Sequence, residues 1–129
     1  LLTGAIVNAR ATAHAAAATG LPVTLLCAGT NDQIAMEDLL GCGAVLVRLA
    51  GAVPMNDEAR IAMNLWHEAS PNVELRLQQS RGGQNVINAG LSADIAFAAM
   101  IDRFPHACRV EDRDGVLAVR RVAGYDPIA

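Results

Sequence analysis

The sequence contains no lysine: all ten of its basic side chains are arginine. That absence excludes Schiff-base chemistry and lysine-based phosphate binding, and leaves any anion site to forked guanidinium donors or backbone N–H groups. Long basic runs are missing as well, and the formal net charge is −3. The clustered cations that nucleic acid or an anionic membrane surface needs are therefore not there, and neither is expected as a partner. The three cysteines, Cys27, Cys42 and Cys108, form no C-x-x-C pair and no cysteine–histidine cluster at zinc spacing, which points to a reducing, cytoplasmic setting. Apolar stretches are rich in alanine and glycine and are interrupted well short of the ~20 residues of a membrane span, so no transmembrane helix is expected. The opening "LLTGAIVNAR" has no initiator methionine and no basic region ahead of an apolar signal core, and reads as the middle of a longer fold.

What is present suits one compact domain over residues 1–129, since 53% of the side chains are hydrophobic and a real core can be buried. Residues 5–19, "AIVNARATAHAAAAT", are dense in the best helix former and stop at Gly20 and Pro22. "PVTLLCAGT" supplies a short continuous apolar run, Val23 to Cys27, of the kind that forms a strand covered on both faces of a parallel sheet. A helix over 34–49 follows, and strand, turn and helix together look like the βα unit of an open α/β sheet. Asn56 and Asp57 open another helix that stops at Pro71. "NVELRLQQS" alternates with period two but has helical composition, and propensity favours helix. "SRGGQNVINAG" gives a turn and a short helix ending at Gly90, and "SADIAFAAMIDRF" a helix capped by Ser92 and closed before Pro105. Asp114-Gly115 between two strand-like runs is a hairpin signal.

Ligands of open α/β sheets bind at the carboxyl ends of strands, which places "CAGT" at a candidate site. Gly29 admits close approach to the backbone and Thr30 offers a hydroxyl, although an ordinary strand-to-helix turn needs the same residues. Glu37 and Asp38 sit where the helix macrodipole favours negative charge, so capping accounts for them. Adjacent acids nevertheless point about 100° apart, which turns one toward the apolar stripe, where a carboxylate needs a cation or N–H partners. Mg²⁺ held by one or two carboxylates, with water and substrate oxygens completing its shell, meets that need. Arg10, and Arg81 before Gly82-Gly83, are anion candidates against the plainer reading of solvated arginines. Cys27 and Cys42 have no histidine at a telling offset and read as buried thiols, while His14, His67 and His106 show no metal-ligand spacing.

Taken in order, "GAIVNARATA", "VTLLCAGT", "AMEDLLGCGAVLVRL", "NDEARIAMNLW" and "SRGGQNVINAGLSADIAFAAMIDRFPHACRVEDRDGVL" resemble the C-terminal half of 2-phosphosulfolactate phosphatases of the coenzyme M pathway type. The resemblance implies a three-layer α/β/α fold, with a mixed sheet, helices on both faces and a terminal β-hairpin. It implies a Mg²⁺-dependent phosphoric monoester hydrolase that cleaves a small phosphorylated sulfonated acid to sulfolactate and phosphate. Carried over residue by residue, Asn8 and Arg10 fall in the family's "NAR" segment, Gly29 and Thr30 in its "AGT", Glu37 and Asp38 in its "ED", and Arg81, Gly82 and Gly83 in its "SRGG". Chemistry then assigns Glu37, Asp38 and Arg81 to catalysis, the same two acids to metal, and Asn8, Arg10, Gly29, Thr30, Gly82 and Gly83 to substrate. Family members are about twice as long. Three readings stay open: a fragment of a phosphatase, two copies associating to restore the missing walls of the site, or a non-catalytic α/β binding or association module. The tail "GYDPIA" does not separate them.

Overall fold

A computed structural model describes residues 1–122, and the tail "GYDPIA" lies outside the described residues. The fold is α/β, with six α-helices and one three-stranded sheet among those residues. Helix α1, Ala9–Ala17, buries Ala9, Ala11, Thr12, Ala13 and Ala16; its small side chains let neighbouring backbones come close. It ends ahead of Gly20, which takes the left-handed φ of 66° that helix termination favours.

Helix α2, Met36–Leu46, is the centre of the molecule. It buries Leu40, Gly43, Ala44 and Val45, and Leu40 is completely enclosed. Helix α3, Asp57–Ala69, is capped by Asn56, whose side chain accepts from the Ala59 N–H at 3.0 Å, as the Asn-Asp start predicts. It turns Ala62, Trp66 and Ala69 inward at helical spacing. The α2–α3 contact depends on Gly43: a Cβ there would lie 2.2 Å from the Ala62 carbonyl oxygen and 2.7 Å from the Trp66 Cβ.

Helix α4, Val73–Gln79, confirms that propensity outweighs the period-two pattern in "NVELRLQQ", because Val73 and Leu77 both find the core from one helix face. Ser80 then ends α4 and begins α5, Arg81–Asn88; its hydroxyl donates to the Leu77 carbonyl at 2.7 Å and accepts from the Gly83 N–H at 2.9 Å. Helix α6 spans Ser92–Ala98. Its N-cap is Leu91 rather than the expected Ser92, and the Ser92 side chain does not cap it; Ser92 is already helical.

The strands are β1, Leu2–Thr3; β2, Cys108–Arg113; and β3, Val116–Arg121, paired in the order β1-β2-β3. The hairpin falls where Asp114-Gly115 put it, with φ of 55° and 83° at the two turn residues, as a type I′ turn demands. Both pairings are antiparallel, so the sheet among the described residues is antiparallel where a mixed one was expected. The missing parallel element is Val23–Cys27, which forms no strand. An interior strand needs neighbours along its edges as well as apolar cover, and no strand among the described residues lies beside this one. Its exposure follows: Leu26 is 90% exposed and Val23 40%. Val116 and Leu117, which point to opposite faces of β3, are both exposed, so neither face of that strand is covered within residues 1–122. The core is accordingly helical, running from Ile6 and Ala13 through Leu40, Val45 and Trp66 to Leu77 and Ile95. No helix of the described residues is long and apolar enough to cross a membrane.

Gly41 and Gly43 provide an internal comparison on one helix, because a Cβ at Gly41 meets nothing within 4 Å. Gly43→Ala is expected to lower stability by about 1–3 kcal/mol through overpacking. Gly41→Ala is expected to raise it by roughly 0.5–1 kcal/mol through helix propensity. Urea unfolding of the two variants beside the parent chain checks both signs.

Candidate functional site

The loop from Gly29 to Gln33 is a tight reversal. Thr30 and Gln33 exchange backbone hydrogen bonds of 3.0 and 3.1 Å, and Asn31 and Asp32 between them both adopt left-handed φ, 52° and 56°. Short polar side chains tolerate that conformation best. Gly29 precedes the reversal at φ 73°, and a Cβ there would sit 2.8 Å from the Gln33 carbonyl oxygen, so glycine is needed for the turn itself. Its N–H donates to Asp38 Oδ2 at 2.7 Å. Gly29 and Thr30 thus have their N–H groups occupied by the protein, and α2 begins only at Met36, beyond the turn.

Asp38 and Glu37, adjacent in the first turn of α2, meet different fates. Asp38 fastens the turn through Gly29 and leaves Oδ1 over. Glu37 runs toward the start of α5, where its Oε1 lies 2.0 Å from the point a Cβ on Gly82 would occupy; only a glycine leaves room for the carboxylate there. Glu37 Oε2 is buried and has no hydrogen-bond partner within the described residues. Both acids line one cavity of about 680 Å³, together with Thr12, Gly41 and Cys42 from the helices and Cys27 and Ala28 from the segment before the turn. A second cavity of about 640 Å³ lies on the other side of Cys27 and Cys42, against α3. The thiols of those two residues are 3.3 Å apart. Burial, then the hydrogen bond and charge of Cys27 and the charge of Asp38, push the Cys42 thiol up to about 12.

The remaining candidates lie elsewhere. Asn8 Oδ1 accepts from the Ala5 N–H at 2.8 Å and its amide donates to the His106 carbonyl at 3.2 Å, tying two chain segments together. Arg10 meets Asp102, through its backbone N–H at 2.7 Å and its Nε at 3.4 Å. Arg81 opens α5 as an exposed residue and does not line the cavity. Gly83 is buried against Leu77, where a Cβ would come within 1.8 Å of the carbonyl oxygen, so it serves the α4–α5 junction. Sequence reasoning missed Arg48, whose Nε binds Asp102 Oδ2 at 2.9 Å while its guanidinium lies 5.4 Å from the Trp66 ring centroid. Its partners are 54 and 18 residues away, and no local pattern announces them.

Of the nine candidates, then, the structure brings Glu37, Asp38 and Gly82 together, with Gly29 held to Asp38. The cavity that Glu37 and Asp38 line has two carboxylates and no arginine among its lining residues. Among the described residues no three of His, Cys, Asp and Glu converge as metal ligands. A hard cation that takes two protein carboxylates fits this donor set, and the orphaned Glu37 Oε2 is the atom it would satisfy.

The sequence matches the family model described as 2-phosphosulpholactate phosphatase over residues 1–113. A protein of Symbiobacterium thermophilum named "probable 2-phosphosulfolactate phosphatase" is 32% identical over 99 residues, which are 74% of this chain and 42% of the relative. One of the same name from Carboxydothermus hydrogenoformans is 33% identical over 104 residues, 79% of this chain and 43% of the relative. A third, from Deinococcus radiodurans, is 31% identical over 104 residues, 78% and 43% respectively. The matched segments span roughly two fifths of these relatives' length.

The unequal surroundings of the paired acids predict opposite effects of removing their charge. Glu37→Gln is expected to raise stability by on the order of 1 kcal/mol, since it relieves an unpartnered buried carboxylate. Asp38→Ala is expected to lower it by about 1–3 kcal/mol, since it breaks a charge-assisted bond to Gly29 and removes a charge that complements the helix dipole. Thermal and urea unfolding of the metal-free variants measure both.

Proposed function

The chain belongs to the 2-phosphosulpholactate phosphatase family, and we propose that it forms part of a phosphatase acting on a small phosphorylated sulfonated acid such as 2-phosphosulfolactate, releasing sulfolactate and phosphate with Mg²⁺ as cofactor. The observation that carries this reading is the cavity with two carboxylates and no cation in its lining. Left alone, that wall repels a phosphate monoester; with a divalent ion between them the same carboxylates become the means of binding it. The cavity's volume is in the range that holds a small organic acid.

In this proposal Glu37 and Asp38 hold Mg²⁺, which when bound neutralises charge on the phosphoryl oxygens. The chain's own residues do the positioning. Gly82 leaves the space in which the Glu37 carboxylate lies. Gly29 fixes Asp38 by occupying one oxygen, so that the other keeps a defined direction. Thr12, from α1, lines the wall with its hydroxyl donating to the Thr3 carbonyl at 3.5 Å, and apolar groups such as Val45 and Leu77 exclude water from the inner side. Arginines come to the phosphate from outside this wall, since Arg10 is engaged with Asp102 and Arg81 stands beyond the lining.

A second reading has its own observation in its favour. The bond from the Gly29 N–H gives Asp38 a structural task of its own at the start of α2, which suits an association module without catalysis. The two readings separate in one experiment. Phosphate release from 2-phosphosulfolactate is measured with Mg²⁺ and with chelator, alongside calorimetric titration of Mg²⁺ into the protein. The phosphatase reading expects chelator-sensitive release, loss of both release and the Mg²⁺ signal in Glu37→Gln, and a roughly tenfold weaker Mg²⁺ affinity in Gly82→Ala, whose Cβ displaces the carboxylate. Absence of release together with an unaltered titration in Glu37→Gln supports the association module.

A further inference from the structure

Cys27 and Cys42 lie outside the phosphatase reading, yet the structure places their sulfurs 3.3 Å apart. Cys27 belongs to the segment that forms no strand, and it is exposed; Cys42 is half-buried on α2. We propose that this pair is a thiol–disulfide modification site, closed by small disulfides and reopened by thiols, which fastens the segment before the Gly29 turn to α2.

The chemistry needs a low-molecular-weight disulfide as oxidant. The exposed Cys27 thiolate attacks one sulfur of that reagent, forming a mixed disulfide and expelling one small thiolate. Cys42 then gives up its proton and attacks the Cys27 sulfur, and the second small thiolate leaves and takes up that proton. Two protein thiols are oxidised and one small disulfide is reduced to two thiols. The sulfurs have to close from 3.3 Å to the ~2.05 Å of a covalent bond, a distance that side-chain rotation covers.

The position of the pair gives the bond its effect. Both residues line both cavities, so the link forms in the wall that the cavities share. Asp38 stands one helical turn before Cys42 and already holds Gly29, two residues after Cys27. Oxidation therefore adds a covalent tie beside an existing hydrogen bond, and the segment carrying Leu26 loses its freedom relative to α2. Cys108, on β2, has no part in this.

The test is incubation of the protein with oxidised glutathione, trapping of free thiols with iodoacetamide, and peptide mapping by mass spectrometry. The expected result is a cross-linked peptide joining Cys27 to Cys42, with Cys108 alkylated, and a rise in thermal midpoint of about 5–10 °C that dithiothreitol reverses. Cys108→Ser is expected to behave as the parent chain, whereas Cys42→Ser stops at a glutathione adduct on Cys27 with no rise. If Cys42→Ser does not fold, Cys27→Ser replaces it, and there Cys42 is expected to stay unmodified. Recovery of Cys27 and Cys42 as separate alkylated or glutathionylated peptides from the parent chain, or cross-linking through Cys108, overturns the proposal.

Discussion

A single missing methyl group sets the position of the helix on which the candidate site depends. With hydrogen at Gly43, the backbone of α2 lies directly on Ala62 and Trp66 of α3, at a separation no side chain permits. Close approach also fixes the rest of α2: Leu40, Ala44 and Val45 are buried on the same helix that carries Glu37, Asp38 and Cys42 to the cavity. Packing density in such an interior leaves little room for adjustment, so the carboxylates inherit a fixed orientation from the core beneath them.

Fixed orientation explains why two neighbouring acids differ so much. Asp38 behaves as an ordinary N-terminal carboxylate, stabilised by the helix dipole and by a backbone donor at 2.7 Å. Glu37 has one oxygen buried without a partner, a state that ordinarily destabilises a fold. Gly82 removes the obstacle that would have pushed it outward, so two separate features, an absent side chain and an unsatisfied oxygen, act on the same carboxylate. Local departures from good packing and polar satisfaction tend to gather where function is carried out. In the proposed function, a bound cation would satisfy that oxygen.

How much of this was legible in the sequence depends on how far apart the interacting residues are. The Asn56 cap, the alanine-rich α1 and the Asp114-Gly115 hairpin are local, and each appears where its residues indicated. Propensity also settled α4 correctly against an alternating pattern. The segment Val23–Cys27 shows the limit of composition: an apolar run records that the residues suit cover, but not which strand supplies it. "TNDQ" carries a further local signal, since consecutive Asn and Asp suit the left-handed pair of a tight reversal, and the turn reading of "AGT" is the one its backbone follows. In the site, the paired acids and Gly82 could be named in advance. Their division of labour could not, because it rests on which distant backbone each carboxylate meets. Arg48 and Asp102 were out of reach for the same reason.

The contacts at the two ends of α2 complete the physical picture. At its N-terminus Asp38 takes the Gly29 N–H; just beyond its C-terminus Arg48 donates to Asp102 and, through NH1, to the Ala44 carbonyl at 2.7 Å. An acid at the start and a base at the end both complement the helix dipole. The second of these contacts does more than cap, because Asp102 also receives Arg10 from α1, 92 residues earlier in the chain. One carboxylate therefore joins α1, the end of α2 and the loop after α6, while the Arg48 guanidinium rests over Trp66 of α3. A guanidinium held among a carboxylate, a carbonyl and an indole is far less available to an anion than a solvated one. Arg10 and Arg48 are both engaged at Asp102 and no arginine lines the cavity, so in the proposed function a cation held by Glu37 and Asp38 would be what offsets the negative wall.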